Sequence, residues 1–403
     1  MTRTPSLRVP AIDERGGGRI ALKAESLQQG GSFKVRGASA KLAASPGNVQ
    51  GVVAGSAGNH GQAVALAARR QGVGCDLFIP VDAPVSKSGP AARLGARLHT
   101  LEGSVDDCVG AAREFAAARD LLFIHPFDDA DVIAGQGTVG LEVLEQVDDL
   151  AQVVVPLGGG GLLGGIAVAV RAERPEVKLV GVQVDACAAW PGSLDEGQPT
   201  QVSAGRTVCD GIAVKRPGEL TMPLVERHVD DVVVVSDDEA GDAMALLLAE
   251  GKLVVEGAGA VGLAALICGR VEPAEGGTTA VVLSGGNIDE EVLMAVARRS
   301  ETLQGRGAVL FTRISDRPGG LAQLLEQVAA AGANVVDVRH LREGVALHMA
   351  ETGVELVVET RGADHAEAIV RSLREEGYAV EQRYPPGDGG PGNHPDQGGS
   401  DER

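Results

Sequence analysis

The feature that most constrains this chain is an alternation between two kinds of apolar pattern. From about residue 50 to residue 290, short apolar runs recur: GVVAG at 51, DLFIP at 76, LLFIH at 121, QVVVPLGGGG at 152, KLVGVQ at 178 and AVVLSGGN at 280. Between them lie Ala- and Leu-rich stretches of helical spacing, such as GQAVALAARRQG and GQGTVGLEVLEQV. Unbroken runs of this length read as strands buried on both faces, and the helical stretches as the layers that cover them. The alternation predicts an α/β fold with a mostly parallel sheet. Several of these strands end in glycine-rich turns, at Gly55 to Gly61, Gly158 to Gly161 and Gly285 to Gly286. Ligands of open α/β sheets bind beyond the carboxyl ends of strands, so the three turns are candidates for one shared site.

The pattern changes after residue 303, which sets the expected boundaries at 1–303 for the main domain, 304–307 (within LQGRGA) for a linker, 308–384 for a second domain and 385–403 for a tail. AVLFTRI reads as a strand, and a helix over SDRPGGLAQLLEQVAAAGAN is opened by Ser315/Asp316 and Pro318 and closed by Gly332. The alternating runs NVVDVRHL, VALHMA and GVELVVE follow, then a helix over HAEAIVRSLREEG and a last strand, YAVEQRY. The order βαββαβ predicts a ferredoxin-like module of a size that can fold by itself. PPGDGGPGNHPDQGGSDER has no apolar residue to bury and is expected to be disordered.

Charge and cysteine usage narrow the class. Lys and Arg total 36 against 55 Asp and Glu, a formal net charge of −19, which argues against a general attraction to nucleic acid or anionic membrane. Five scattered cysteines without a CxxC pair argue against a disulfide framework or a structural zinc site and fit a reducing cytoplasm. The opening MTRTPSLRVP is not followed by an apolar segment of signal-peptide length, and no stretch reaches the length of a membrane span. Small molecules and other protein chains are the expected partners.

Lys34, in GSFKVRGAS, stands between Phe33 and Val35 with an arginine one residue further on. A lysine held against an apolar ring sheds its proton more readily, because desolvation disfavours the ammonium form. The amides of Gly158, Gly159, Gly160 and Gly161 can converge on a phosphate without side chains in the way. No Gly-Lys-Ser/Thr follows, so this is not a nucleotide P-loop.

Six ordered motifs carry a resemblance: LKAESLQQGGSFKVRGA (22–38), SAGNHGQAVA (56–65), HPFDDADVIAGQGTVGLEVLEQ (125–146), VPLGGGGLLGGIA (155–167), DGIAVKRPGEL (210–220) and SGGNI (284–288). From about residue 4 to residue 300 the chain resembles the threonine ammonia-lyases (threonine dehydratases). These are pyridoxal 5′-phosphate (PLP) enzymes of fold type II, the tryptophan-synthase-β-like fold, with two α/β subdomains. The resemblance implies that Lys34 holds PLP as a Schiff base and, once displaced, removes the Cα proton of L-threonine. It implies that Phe33 packs beside the cofactor, that Gly158 to Gly161 and Leu162 hold its phosphate, and that Asn59 lies beside its 3′-oxygen. The loop Ser56, Ala57, Gly58, Asn59 and His60 would turn backbone amides toward the substrate carboxylate, with His60 shaping the loop rather than moving protons. Ser284 would hydrogen-bond the pyridine nitrogen. A serine hydroxyl cannot hold that nitrogen protonated, which favours prompt β-elimination over transamination. The implied products are 2-oxobutanoate and ammonia from threonine, and pyruvate from serine.

Two rival readings share parts of this pattern. Serine racemase/serine dehydratase shares most of the motifs, but racemisation needs a second acid/base on the opposite face, where that family has a serine and this chain has Ala57. The C-terminal module resembles an ACT domain, with Asp316, Pro318, Gly319, Leu321 and Asn334 as candidate effector contacts, which raises a non-catalytic amino-acid sensor as the other rival. With Lys34, Asn59, the glycines and Ser284 all present, the module is instead expected to make the enzyme allosteric, inhibited by isoleucine or valine, as a homodimer or homotetramer. Two departures from the family stand out: the sequence starts only a few residues before TPSLRV, where relatives usually have an extra N-terminal helix and a leucine in place of Ser6, so that either the start was assigned late or this member manages without it, and Cys209 stands where relatives commonly have alanine. No metal site is expected, Asp210 being the one candidate cation ligand.

Overall fold

Apolar runs that have no polar face can be buried only by pairing side by side and being covered above and below, and the chain does this twice before residue 297. The computed structural model describes residues 1–383, apart from 46, 48, 304, 343–347 and 349. With strands numbered in chain order, the larger sheet runs β1 (Ser6–Leu7), β2 (Ile20–Ala24), β10 (Thr278–Leu283), β7 (Leu150–Pro156), β8 (Lys178–Val184) and β9 (Asp231–Val235). The smaller runs β5 (Arg97–Leu101), β4 (Gly74–Pro80), β3 (Gly51–Gly55) and β6 (Leu122–Phe123). Every pairing is parallel except that of β1 with β2. Val153, Val154 and Val155 of β7 are fully buried, each contributing roughly 1.5–3 kcal/mol of hydrophobic stabilisation.

Helix Ala130–Gln146 packs on helix Gly161–Glu173 closely enough that glycine is required at the crossing. A Cβ on Gly165 would lie 2.3 Å from Ile133 O, and one on Gly137 would lie 2.8 Å from Gly165 O. The GQG and GGI segments thus draw the HPFDD motif toward the glycine run.

Strand β2 contains Lys23, fully buried. Its Nζ donates to Glu142 Oε2 (2.6 Å), Thr4 O (2.7 Å) and Gln146 Oε1 (2.9 Å), which satisfies a charge that burial would otherwise exclude. Arg36 joins the same network through paired bonds to Glu25 (2.8 Å each) and to Glu142 (2.7 and 2.9 Å).

The described residues divide into two compact units, parting after Val296, inside helix Glu290–Leu303. In the second, β11 (Gly307–Ser315), β12 (Asn334–Leu341), β13 (Glu351–Glu359) and β14 (Glu381–Arg383) form an antiparallel sheet in the order β12-β13-β11-β14. Helices Gly320–Ala330 and Ala363–Glu375 complete a βαββαβ order of ferredoxin-like topology. The first of these begins later than its sequence signals indicate. Ser315 still belongs to β11, and Gly319, at φ +93°, forms the cap, so Asp316 and Pro318 lie in the preceding turn. VALHMA falls mostly on residues outside those described, as does the 385–403 tail. Among the described residues no helix is long and apolar enough to cross a membrane, and all five cysteines are free.

Candidate active site

Lys34 opens helix Lys34–Ala44 immediately after the turn that follows β2. The segment just past β10 is tied to that turn: Phe33 N donates to Ser284 O (3.0 Å), and Ser32 forms a bridge with Gly285. Phe33, Lys34 and Ser284 are thereby brought together from opposite ends of the first unit. Lys34 Nζ lies 5.2 Å from the Phe33 ring centroid and donates to Pro126 O (2.8 Å). Burial lowers its pKa from 10.5 to about 8, against the opposing attraction of Glu256. Ser284, 3% exposed, sits just past the end of β10.

Pro126 leads into Phe127, whose ring lies against the glycine run after β7. A Cβ on Gly159 would meet that ring at 2.4 Å, and one on Gly161 would meet Phe127 O at 2.8 Å. Gly160 has φ +94° and caps helix Gly161–Glu173. Its first-turn amides, including that of Leu162, have no helical acceptor, and the helix dipole adds positive potential there. Gly158 to Gly161 therefore present a side-chain-free, amide-rich surface, which the amide of Leu162 extends.

Helix Asn59–Gln71 brings the SAGNHG loop in from the smaller sheet. The Ser56 amide donates to Phe78 O (3.0 Å) and that of Gly58 to Ser56 Oγ (3.2 Å), which leaves Asn59 and His60, at the helix start, without helical acceptors. His60 is 4% exposed, and its Nε2 contacts Ile124 O at 2.9 Å. Burial, then the nearby Lys34 charge, holds its pKa at about 3, so the ring is neutral. His125 is also held low, at about 4, chiefly by burial. Its Nδ1 accepts from the amides of Phe127 (3.3 Å) and Asp128 (2.7 Å), fixing the HPFDD turn.

Glu256 is among the residues at the site that sequence alone does not mark. It is 7% exposed and accepts from Asn59 Nδ2 at 2.7 Å, while Asn287 Nδ2 donates to Asn59 Oδ1 at 2.7 Å. The Asn59 amide is thus held at both ends. Burial raises the pKa of Glu256 from 4.5 to about 7. The available signal was a lone acid in VVEGAGAVGLAALI, directly before a wholly apolar helix.

Asp210 pairs with Lys87, which also reaches Asp289 at 3.4 Å. Among the described residues no cluster of three metal-ligating side chains occurs. In the second unit, Asp316 pairs with Arg342 at 3.1 Å, Asn334 Nδ2 donates to Glu359 at 2.8 Å, and Leu321 packs on the module's core. Pro318 and Gly319 shape the turn before the helix.

Residues 1–285 match the family of pyridoxal-phosphate dependent enzymes. The chain belongs to this family. It is 43% identical over 381 residues to an L-threonine ammonia-lyase of Thermotoga maritima, covering 94% of each chain. A catabolic L-threonine dehydratase of Escherichia coli K12 is 40% identical over 281 residues, which is 69% of this chain and 85% of that one. Among solved structures, a threonine deaminase of T.th. matches with a TM-score of 0.68 at 40% identity, covering 72% of this chain and 94% of that one. Maize serine racemase matches with a TM-score of 0.70 at 33% identity, covering 74% and 92%. The residues present fit the family's cofactor: an amine of lowered pKa for its aldehyde, a glycine cradle whose missing side chains would strike Phe127, Trp190 and Thr221, and a helix N-terminus for its phosphate.

Proposed function

We propose that this chain is a PLP-dependent L-threonine ammonia-lyase that forms 2-oxobutanoate and ammonia, and forms pyruvate and ammonia from L-serine by the same route. The observation that carries the reading is the placement of Lys34, its pKa lowered to about 8, beside Phe33, Ser284 and the wall of the glycine run.

PLP, when bound, supplies an electron sink that acidifies the substrate Cα–H. Lys34 is the residue that holds it and the base that takes the Cα proton at Nζ. An amine with a pKa near 8 is about half neutral at pH 8 and suited to that task. Gly158 to Leu162 would hold the phosphate through their amides, Ser284 would offer a neutral hydroxyl to the ring nitrogen, and Phe33 would pack beside the cofactor. Asn59, fixed between Glu256 and Asn287, would lie beside its 3′-oxygen. The amides at Ala57, Asn59 and His60 take the substrate carboxylate, with Ser56 and Gly58 shaping the loop. As Lys34 Nζ takes the Cα proton, the Cβ–O bond would break and the hydroxyl would leave as water by taking up a proton; the released enamine would then add water and give the oxo acid and ammonia. Ala57 holds no proton, so elimination is favoured over the racemisation named for one structural relative.

The remaining assignments follow from the resemblance. The proposed organisation is a catalytic domain over 1–303, a linker over 304–307 and an ACT domain over 308–384 that binds isoleucine or valine near Asp316, Pro318, Gly319, Leu321 and Asn334, in a cytoplasmic homodimer or homotetramer. The βαββαβ order supports the ACT reading. The test is the absorption spectrum of the purified chain beside Lys34→Ala, with 2-oxobutanoate assayed after L-threonine is added. A cofactor–lysine band and oxo acid in the wild type alone support the proposal. A wild type that cannot be loaded with PLP, or that is loaded and deaminates neither threonine nor serine, refutes it.

A further inference from the structure

The glycine run is held from behind by side chains that belong to none of the strand-end turns. Trp190, the chain's single tryptophan and fully buried, donates from Nε1 to Gly158 O at 2.6 Å. Thr221, also fully buried, donates from Oγ1 to Gly159 O at 2.6 Å; its alternative acceptor, Gly218 O, is at 3.3 Å. Gly160 O accepts from Gly164 N at 2.8 Å. Three successive carbonyls are therefore engaged.

In a planar trans peptide the C=O of one residue and the N–H of the next point in opposite directions. Engaging Gly158 O turns the Gly159 amide away from Trp190, and engaging Gly159 O turns the Gly160 amide away from Thr221. Without these bonds the run could rotate its peptides freely, because glycine imposes little of its own preference. Both anchors are themselves anchored. Trp190 N donates to Gln183 Oε1 at 2.8 Å on buried β8. The turn before Thr221 is gripped by Asp128, whose carboxylate accepts from the amides of Glu219 (3.1 Å), Leu220 (2.9 Å) and Thr221 (3.3 Å).

We propose that Trp190 and Thr221 are positioning residues for the cofactor phosphate: by fixing two carbonyls they pre-aim the Gly159 and Gly160 amides at the anion. The inference rests on the reading of the glycine run as the phosphate site. The test titrates the cofactor-free, full-length chain with PLP and separately with pyridoxal, which has the same aldehyde and ring but no phosphate. Binding is followed by absorbance, and also by Trp190 emission in the Thr221 variants. Trp190→Phe removes the bond to Gly158 O, and Thr221→Val removes the bond to Gly159 O together with the one that Thr221 Oγ1 accepts from Gly218 N (3.1 Å); both keep most of the packing, and each should weaken PLP about tenfold. Pyridoxal affinity should stay within about twofold of the wild type, and Thr221→Ser should restore PLP binding. PLP affinity unchanged in both variants, or lost in step with pyridoxal affinity, overturns the proposal, the second result marking a purely structural role. A wild type that binds PLP no tighter than pyridoxal overturns the phosphate reading itself.

Discussion

Replacing Glu256 with glutamine tests the electrostatics of the site without removing its hydrogen-bond acceptor for Asn59. The wild-type carboxyl is 7% exposed, and burial raises its pKa from 4.5 to about 7, opposed by the Asn59 hydrogen bond and by the Lys87 and Lys34 charges, with Asp210 adding to the rise. At pH values below 4.5 the folded and unfolded chains both hold the proton, and ionisation costs nothing. Between 4.5 and 7 the unfolded chain releases the proton while the folded chain keeps it, so stability falls as pH rises, and above 7 the whole cost is present. The displacement corresponds to about 3 kcal/mol, since one pH unit is worth about 1.4 kcal/mol. Glutamine carries no such cost. Urea unfolding of cofactor-free wild type and Glu256→Gln should therefore show the stability difference moving in favour of the variant by about 2–3 kcal/mol between pH 5 and pH 8. A difference that does not change with pH would mean that Glu256 is not held protonated by burial, and the reasoning about its site would be wrong.

Gly160→Ala should cost about 1–3 kcal/mol in strain, because φ is +94° and the new Cβ would lie 2.6 Å from Trp190; thermal unfolding and PLP titration should show both stability and cofactor affinity reduced. Arg36→Leu leaves the fully buried Glu25 without its partner and should destabilise by about 3–5 kcal/mol in urea, a loss under about 1 kcal/mol refuting the buried network. His60 should remain neutral throughout pH 5 to 8, so its imidazole NMR signals should not titrate there; a midpoint above 5 would contradict its burial. Deleting residues 306 to 403 should leave turnover but abolish any response to isoleucine or valine, and an unchanged response would remove the regulatory assignment.

The interior of the fold was legible where the buried runs are mostly apolar. All six runs singled out from sequence lie in or overlap β3, β4, β6, β7, β8 and β10. Two of the strands that escaped, β1 and β5, lie at sheet edges and are half exposed, so nothing forces an unbroken apolar run on them. Edge strand β9 does carry one, Val232 to Val235, and was passed over without such a reason. β2 is wholly buried but carries Lys23, whose charge breaks the pattern and is satisfied by Glu142 and Gln146 from more than a hundred residues away. No local window contains that compensation. The late start of helix Gly320–Ala330 is a local failure of a different kind. Asp316 and Pro318 are sound helix-opening residues, but Gly319 takes a left-handed conformation that only lets the helix begin after it.

At the site, the chemistry was legible and its support was not. Lys34, Asn59, the glycines and Ser284 announce themselves because catalysis and anion binding restrict residue type, and the ends of parallel strands restrict position. The residues behind them are under a weaker constraint. Trp190 needs only an indole N–H within reach of one carbonyl, Thr221 only a hydroxyl, and Glu256 only an acceptor for Asn59. Several residue types and several chain positions can meet such a requirement, so no spacing rule marks them. They are recognisable instead by an imbalance visible in three dimensions: a buried polar atom must have a partner, and here each partner is a backbone or amide group whose direction the proposed chemistry depends on. Applied to Asn59, this criterion leads directly to Glu256, the buried acid that motif matching passes over.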